Sequence, residues 1–138
     1  MEIIVLNTIG RIDLLKQREA RSFVRRLKVS LICIIKIRVK VDKAVKIKEN
    51  RVQGWGFLHN YENHQLGRIW VCWNLEELKV NLTSKNDQVI SAEKEEMQWI
   101  QSFVYGANKG VERRPLWNHL FSVKSKMNGD LWLLAWGF

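Results

Sequence analysis

The chain has 138 residues, of which 46% are hydrophobic and 27% are charged. This ordinary globular composition argues against intrinsic disorder and fits a single domain over residues 1–138. No apolar run approaches the roughly 18 residues of a membrane span, and the start "MEIIVLNTIG" lacks the basic segment of a secretory signal. We therefore expect an intracellular protein that does not enter a membrane.

The first part of the chain holds most of the positive charge. Residues 1–51 contain 14 of the 23 Lys and Arg residues but only 5 of the 14 Asp and Glu residues, so the net charge of +9 originates there. A surface of this kind attracts polyanions, nucleic acid above all. The alternative is a solvated helix face without such a partner, and charge alone favours neither interpretation.

Apolar and basic segments alternate in this first part. The segment "EIIVL" predicts a short buried strand, and a helix with basic residues on its outer side is predicted to begin at Asp13. The segment "VSLICIIKIRVKV" predicts a second strand, buried on both faces in its first half. A short helix is predicted for "DKAVKIKEN", and Gly54 and Gly56 predict a turn around Trp55.

Strand signals dominate the rest of the chain. A strand is predicted for "GRIWVCW", a hairpin for "LKVNLTS" and "DQVISAE", and a strand ending at Tyr105 for "MQWIQSFVY". A helix follows over 111–126 with Pro115 in its first turn, and "LWLLA" predicts the last strand. The helix face expected to pack on a sheet consists of Leu116, Leu120 and Val123. This mixture of strands and helices predicts an α/β or α+β sandwich.

Classical catalytic and metal-binding signatures do not occur in the sequence. Cys33 and Cys72 are isolated thiols in apolar stretches, which predicts two buried core residues without a disulfide. His59, His64 and His119 have no metal-ligand spacing, so we interpret them as structural or exposed side chains.

Tyr105-Gly-Ala-Asn108 is the most suggestive local segment, because a hydroxyl and an amide at a strand end can project into a cleft. A turn capped by Asn108 is the equally supported alternative. Together with "NTIGRIDLLKQREARSFVRR", "GWGFLHNYENHQLGRIWVCW", "ERRPLWNHL" and "LWLLAWGF", this segment resembles the endonuclease/exonuclease/phosphatase superfamily. More narrowly, the chain resembles the endonuclease domain of plant LINE-type (non-LTR) retrotransposons.

The resemblance implies a partial four-layer β-sandwich, with two sheets face to face and helices outside, that is truncated at its C-terminus after about half of the domain. It also implies a Mg²⁺-dependent phosphodiesterase that nicks DNA with a metal-assisted water. Asn7 matches the asparagine of the family's first motif. Tyr105 and Asn108 match the family's pair that contacts the scissile phosphate.

Two positions depart from the metal site that the resemblance implies. Lys36 stands where the family has its metal-binding glutamate, and Gly137 stands where the motif Gly-Asp-Phe-Asn has its aspartate. Two unit charges about 4 Å apart interact by roughly 4 kcal/mol at an effective dielectric near 20. Exchanging a carboxylate for an ammonium therefore disfavours a divalent cation by more than that. We predict no metal-ligating residue here and no bound Mg²⁺; an outward-pointing Lys36 is the alternative.

The leading hypothesis is therefore a degenerate part of a retrotransposon endonuclease domain without catalytic activity. One alternative is a non-catalytic module that binds DNA or another nucleic acid, and another is a chain that does not fold stably. A nucleic-acid partner favours a nuclear location, and the sequence makes no prediction about the oligomeric state. The candidate nucleic-acid-binding residues are Arg21, Arg25, Arg26, Lys28 and Arg113.

Overall fold

Two four-stranded β-sheets and two α-helices form the described part of the chain. The computed structural model describes residues 2–7, 29–35, 38–65, 67–95, 99–107, 109–127 and 131–137, with the backbone alone for 2–7, 131, 136 and 137. The helix predicted to begin at Asp13 and the turn predicted at Asn128 lie outside these residues.

In chain order the elements are β1 (Glu2–Asn7), β2 (Val29–Ile35), α1 (Val41–Arg51), β3 (Gly56–His59), β4 (Ile69–Trp73), β5 (Val80–Lys85), β6 (Val89–Lys94), β7 (Trp99–Tyr105), a 3-10 helix (Gly110–Arg113), α2 (Arg114–Ser125) and β8 (Leu131–Gly137). Neither α1 nor α2 has the length and hydrophobicity that a bilayer-spanning helix requires.

The first sheet has the strand order β1-β2-β4-β3. β1 runs parallel to β2, so Asn7 and Ile35 end side by side, and β4 lies antiparallel to both β2 and β3. Every residue of β2 and β4 is buried, because both faces of these strands are covered. This double burial explains their nearly continuous apolar sequences, "VSLICII" and "IWVCW".

The second sheet has the strand order β5-β6-β7-β8. The first three strands are antiparallel neighbours, whereas β8 runs parallel to β7 and pairs Gly137 with Tyr105. A parallel pair needs a crossover connection, and the segment that contains α2 supplies it. The predicted hairpin, the strand ending at Tyr105 and the last strand are all confirmed.

The two sheets pack face to face, and each carries one helix on its outer side. Ala44 and Ile47 attach α1 to the first sheet, and Leu116 and Leu120 attach α2 to the second. Helix, sheet, sheet and helix form four layers, as the resemblance implied. The core between the sheets contains Leu31, Cys33, Ile35, Ile69, Val71, Trp73, Leu78, Ile90 and Phe103.

The predicted length of the second strand was wrong. β2 ends at Ile35, whereas the alternation of apolar and basic residues predicted a strand as far as Val41. Val39 is buried against the outer face of the first sheet, and Val41 begins α1. Val39 and Val41 therefore belong to a connection and to the start of a helix.

The turn predicted around Trp55 is shorter in the structure than the sequence predicted. Gly54 has φ 76° and does form a turn, but Gly56 begins β3, a strand that the sequence did not reveal. A Cβ atom on Gly56 would lie 2.2 Å from the Trp73 ring. The close approach of that ring, rather than a turn, explains this glycine.

Both cysteines are buried thiols, as predicted, and burial raises the pKa of each, that of Cys72 to about 12. We expect a thiol reagent such as DTNB at pH 8 to label neither Cys33 nor Cys72 in the native protein and to label both in urea. The labelling rate should follow the rate of unfolding. Rapid labelling of the native protein would contradict a closed core.

Candidate nucleic-acid interface

The strand topology brings three positions of the resemblance to one end of the sandwich. Asn7 ends β1, Tyr105 ends β7, and Gly137 ends β8 beside Tyr105. The corresponding ends of the two sheets adjoin, because Asn60, which follows β3, hydrogen-bonds to the backbone of Asn86 between β5 and β6. We call this end, with the described loop residues 38–40, 60–65, 67–68, 86–88, 106–107 and 109–113, the site end.

Tyr105 is half-buried and packs on one side against the core between the sheets. The guanidinium carbon of Arg68 lies 5.6 Å from the centroid of the Tyr105 ring, within the range of a cation–π contact. The backbone N–H of Tyr105 donates to the carbonyl of Gln88 at 2.9 Å. A fixed tyrosine with an arginine against its ring therefore stands at the site end.

His64 is the second contact of Arg68. Arg68 Nη2 lies 3.3 Å from His64 Nε2. Burial and the positive charge of Arg68 lower the pKa of His64, although Asp87 opposes this shift. The lowered pKa favours the neutral His64 ring, whose Nε2 can accept a hydrogen bond from Arg68.

Asn60 connects the two sheets at the site end and is fully buried. Its Oδ1 accepts hydrogen bonds from the backbone N–H groups of Arg68 and Ile69, at 2.9 and 3.0 Å. Its Nδ2 donates to the carbonyls of Asn86 and Asp87, at 3.2 and 3.1 Å. One side chain thus holds both the connection to β4 and the turn between β5 and β6.

The loop after Tyr105 is also held by side chains. Gln88 accepts a hydrogen bond from the Ala107 backbone N–H and donates one to the Glu112 carbonyl. Arg113 Nε donates to the Ala107 carbonyl at 2.5 Å. The structure therefore places Arg113, a predicted nucleic-acid-binding residue, against the loop that contains position 108.

The other predicted site residues stay predictions. The side chain of Asn7 is not described, and its role at the site end rests on the resemblance. The predicted site residues that lie wholly outside the described part of the chain are Arg21, Arg25, Arg26, Lys28, Lys36 and Asn108.

Three residues of the site end were missed by sequence reasoning. Asn60 and Gln88 occur in turn-like segments, whose polar residues are ordinarily interpreted as solvent-exposed. Arg68 directly precedes a buried strand, and its position at that strand end was the one signal in the sequence. All three residues owe their roles at the site end to contacts with residues that are distant in the sequence.

The donors described at this end do not fit a Mg²⁺ ion, which prefers carboxylate and other oxygen ligands. Within the described residues, no group of three or more His, Cys, Asp and Glu side chains could hold a metal. Position 137, beside Tyr105, is a glycine. Glu62 lies at this end, but it pairs with Lys85 at 2.7 Å, and that hydrogen bond lowers the pKa of Glu62. We therefore derive no metal-dependent step.

Comparison with known proteins identifies the fold. No protein-family model and no curated protein match the chain. Among solved structures, the endonuclease domain of TRAS1, a telomere-specific non-LTR retrotransposon, superposes with a TM-score of 0.68 at 11% identity, over 97% of this chain and 57% of that one. The fold is DNase I-like.

Two further structures have the same architecture. D. rerio TDP2 complexed with a single-strand DNA product has a TM-score of 0.62 at 11% identity, over 97% of this chain and 58% of that one. An AP endonuclease from Archaeoglobus fulgidus has a TM-score of 0.54 at 13% identity, over 91% of this chain and 51% of that one. This chain therefore spans less than two thirds of the length of each of the three proteins.

Proposed function

We propose that this chain is part of a DNase I-like endonuclease domain of the kind carried by plant LINE-type retrotransposons, and that it binds nucleic acid without cleaving it. The observation that carries the proposal is the pairing of Tyr105 with Gly137, together with the Arg68 contact on the Tyr105 ring. In this proposal Tyr105 contacts a phosphate; it lies beside the guanidinium of Arg68 and beside Gly137, a position without a carboxylate. Binding of DNA would favour a nuclear location.

The charge of the site end supports direct binding of phosphate. The acidic residues of its described loops are Glu62, Asp87 and Glu112, and Glu62 is paired with Lys85. The basic residues of the same loops are Arg38, Lys40, Arg68, Lys109 and Arg113. Charge-assisted hydrogen bonds from Arg and Lys bind phosphate oxygens without a metal ion.

The same residues do not support hydrolysis. Cleavage of a phosphodiester by a metal-assisted mechanism needs an activated water and a cation that stabilises the developing charge. The resemblance places a carboxylate at positions 36 and 137, where this chain has Lys36 and Gly137. A lysine neutralises a phosphate but does not hold a divalent cation. The proposal therefore retains binding of nucleic acid and excludes its cleavage.

We expect the protein to bind DNA and to leave supercoiled plasmid intact in Mg²⁺ or Mn²⁺. Log affinity for a duplex should fall linearly with log salt, by about 0.9 for each phosphate neutralised. Arg68→Glu should weaken binding about tenfold because it reverses a charge at the phosphate contact. A filter-binding or fluorescence-anisotropy titration measures this.

Lys79→Glu provides the matched control, since Lys79 is exposed and lies in the β4–β5 connection, at the other end of the sandwich. It changes the net charge equally but should have a much smaller effect. Equal losses in the two variants would contradict an interface at the site end. If the protein nicks plasmid in a metal-dependent way, and Asn7→Ala or Tyr105→Phe abolishes that activity, the proposal that it does not cleave DNA is wrong.

A further inference from the structure

Gln88 is a buried amide whose two polar atoms both face the loop after β7. Its side chain is 2% exposed. Oε1 accepts a hydrogen bond from the Ala107 N–H at 2.8 Å, and Nε2 donates to the Glu112 carbonyl at 2.7 Å. Its backbone carbonyl also accepts the Tyr105 N–H. One residue therefore binds both ends of the segment that carries Tyr105 and position 108.

Gln88 is itself held in place by two asparagines. Asn86 Oδ1 accepts hydrogen bonds from the backbone N–H groups of Gln88 and Val89, at 2.8 and 3.1 Å. The Asn86 carbonyl in turn accepts from Asn60 Nδ2, and Asn60 also holds the backbone of Arg68. A continuous series of amide hydrogen bonds thus joins Arg68 on the first sheet to the Tyr105 loop on the second.

We infer that Gln88 is a positioning residue, which holds Tyr105 and the backbone of Ala107 and Glu112 in the arrangement that contacts a phosphate of bound DNA. The inference rests on the proposed function. Tyr105 and Arg68 come from different sheets, so their joint contact requires a fixed loop as well as a fixed strand. A loop that must become ordered on binding weakens the affinity by its ordering entropy.

Removing the Gln88 side chain should therefore weaken DNA binding. We expect Gln88→Ala to raise the Kd for a fluorescein-labelled single-stranded oligonucleotide about five- to tenfold. Gln88→Met should give a similar loss, because it keeps the length of the side chain but neither accepts from Ala107 nor donates to the Glu112 carbonyl. This second variant also keeps the test valid if Gln88→Ala does not fold. Thermal unfolding shows which variants are folded at the assay temperature.

A double-mutant cycle separates positioning from a general loss of structure. If Gln88 acts through the Tyr105 loop, Gln88→Ala should change the Kd less than twofold in a Tyr105→Phe background. Gln101→Ala is the matched control: Gln101 is also a buried glutamine of the second sheet, but it contacts Lys94 at the opposite end. It should leave the Kd unchanged.

The outcomes distinguish the inference from the function on which it rests. The proposed interface is refuted if the protein does not bind the oligonucleotide. It is also refuted if Tyr105→Phe leaves the affinity unchanged. If Tyr105→Phe weakens binding but both Gln88 variants leave the Kd unchanged, the positioning role alone is refuted. An equal loss from Gln88→Ala in both backgrounds, or an equal loss from Gln101→Ala, also refutes it.

Discussion

Replacing Asn60 with alanine should lower the free energy of unfolding by about 3–5 kcal/mol, a large fraction of the stability of a domain of this size. The side chain makes four hydrogen bonds and is fully buried. Alanine would leave two backbone N–H groups and two carbonyls without this partner. Each buried polar group that loses its partner costs about 1–3 kcal/mol when water cannot replace it.

Urea unfolding of the wild type and the variant, followed by tryptophan fluorescence, measures this difference. Asn74→Ala is the matched control, because Asn74 makes one exposed side-chain hydrogen bond, to the N–H of Glu76, within its own turn. It should cost less than about 1 kcal/mol. Similar losses from Asn60→Ala and Asn74→Ala would mean that water reaches the Asn60 site, and that the two sheets are not joined there as the structure shows.

Most strands and the buried face of α2 could be predicted from the sequence because their signals are local, whereas the four layers were implied by the resemblance. Leu116, Leu120 and Val123 recur at helical spacing, and that spacing alone identifies the face of α2 that is buried. The apolar runs of β2 and β4 have the composition of strands covered on both faces. By contrast, β3 is four residues long and half-buried, and its glycine predicts a turn as readily as a strand.

The site end was only partly predictable, since its geometry depends on pairs distant in the chain. The resemblance supplied Tyr105 and Gly137, and the parallel register of β7 and β8 then placed them side by side. Asn60 contacts a carbonyl 26 residues away, and Gln88 contacts one 24 residues away. Local patterns assign such residues to exposed turns, because the partners that make their burial favourable appear only in the folded chain.

Lys94→Met should stabilise the protein at pH 7 by about 1–3 kcal/mol, and this gain should shrink as the pH rises above 8. Lys94 ends β6 at the end of the sandwich opposite to the site, and it is 2% exposed. Its Nζ donates to Gln101 Oε1 at 3.0 Å and lies 4.5 Å from the centroid of the Trp99 ring. Among the described residues, no carboxylate forms an ion pair with it.

Burial without a carboxylate lowers the pKa of Lys94 from 10.5 to about 8. Below pH 8 both the folded and the unfolded chain carry the proton, so the full cost of burying the charge opposes folding. Between pH 8 and 10.5 the folded chain has released a proton that the unfolded chain still binds. The contribution of Lys94 to the free energy of unfolding of the wild type should therefore rise with pH across this window.

Methionine has a similar shape and no charge, so the stability of the Lys94→Met variant lacks this dependence on pH. The contacts with Gln101 and Trp99 offset part of the cost in the wild type, which keeps the expected gain at pH 7 below the full value of the shift. The pKa values of both cysteines are raised by burial, which lowers stability at high pH. This effect is common to both proteins and cancels in their difference.

Chemical denaturation of both proteins at pH 7, 8, 9 and 10 gives that difference directly. Lys79→Met is the control, because Lys79 is exposed and precedes β5, whose first residue, Val80, pairs with Lys94. Its effect should stay within about 0.5 kcal/mol at every pH. A difference between wild type and Lys94→Met that stays constant, or grows, from pH 8 to 10 would mean that Lys94 keeps its proton. The charge would then be solvated or paired rather than buried against Trp99.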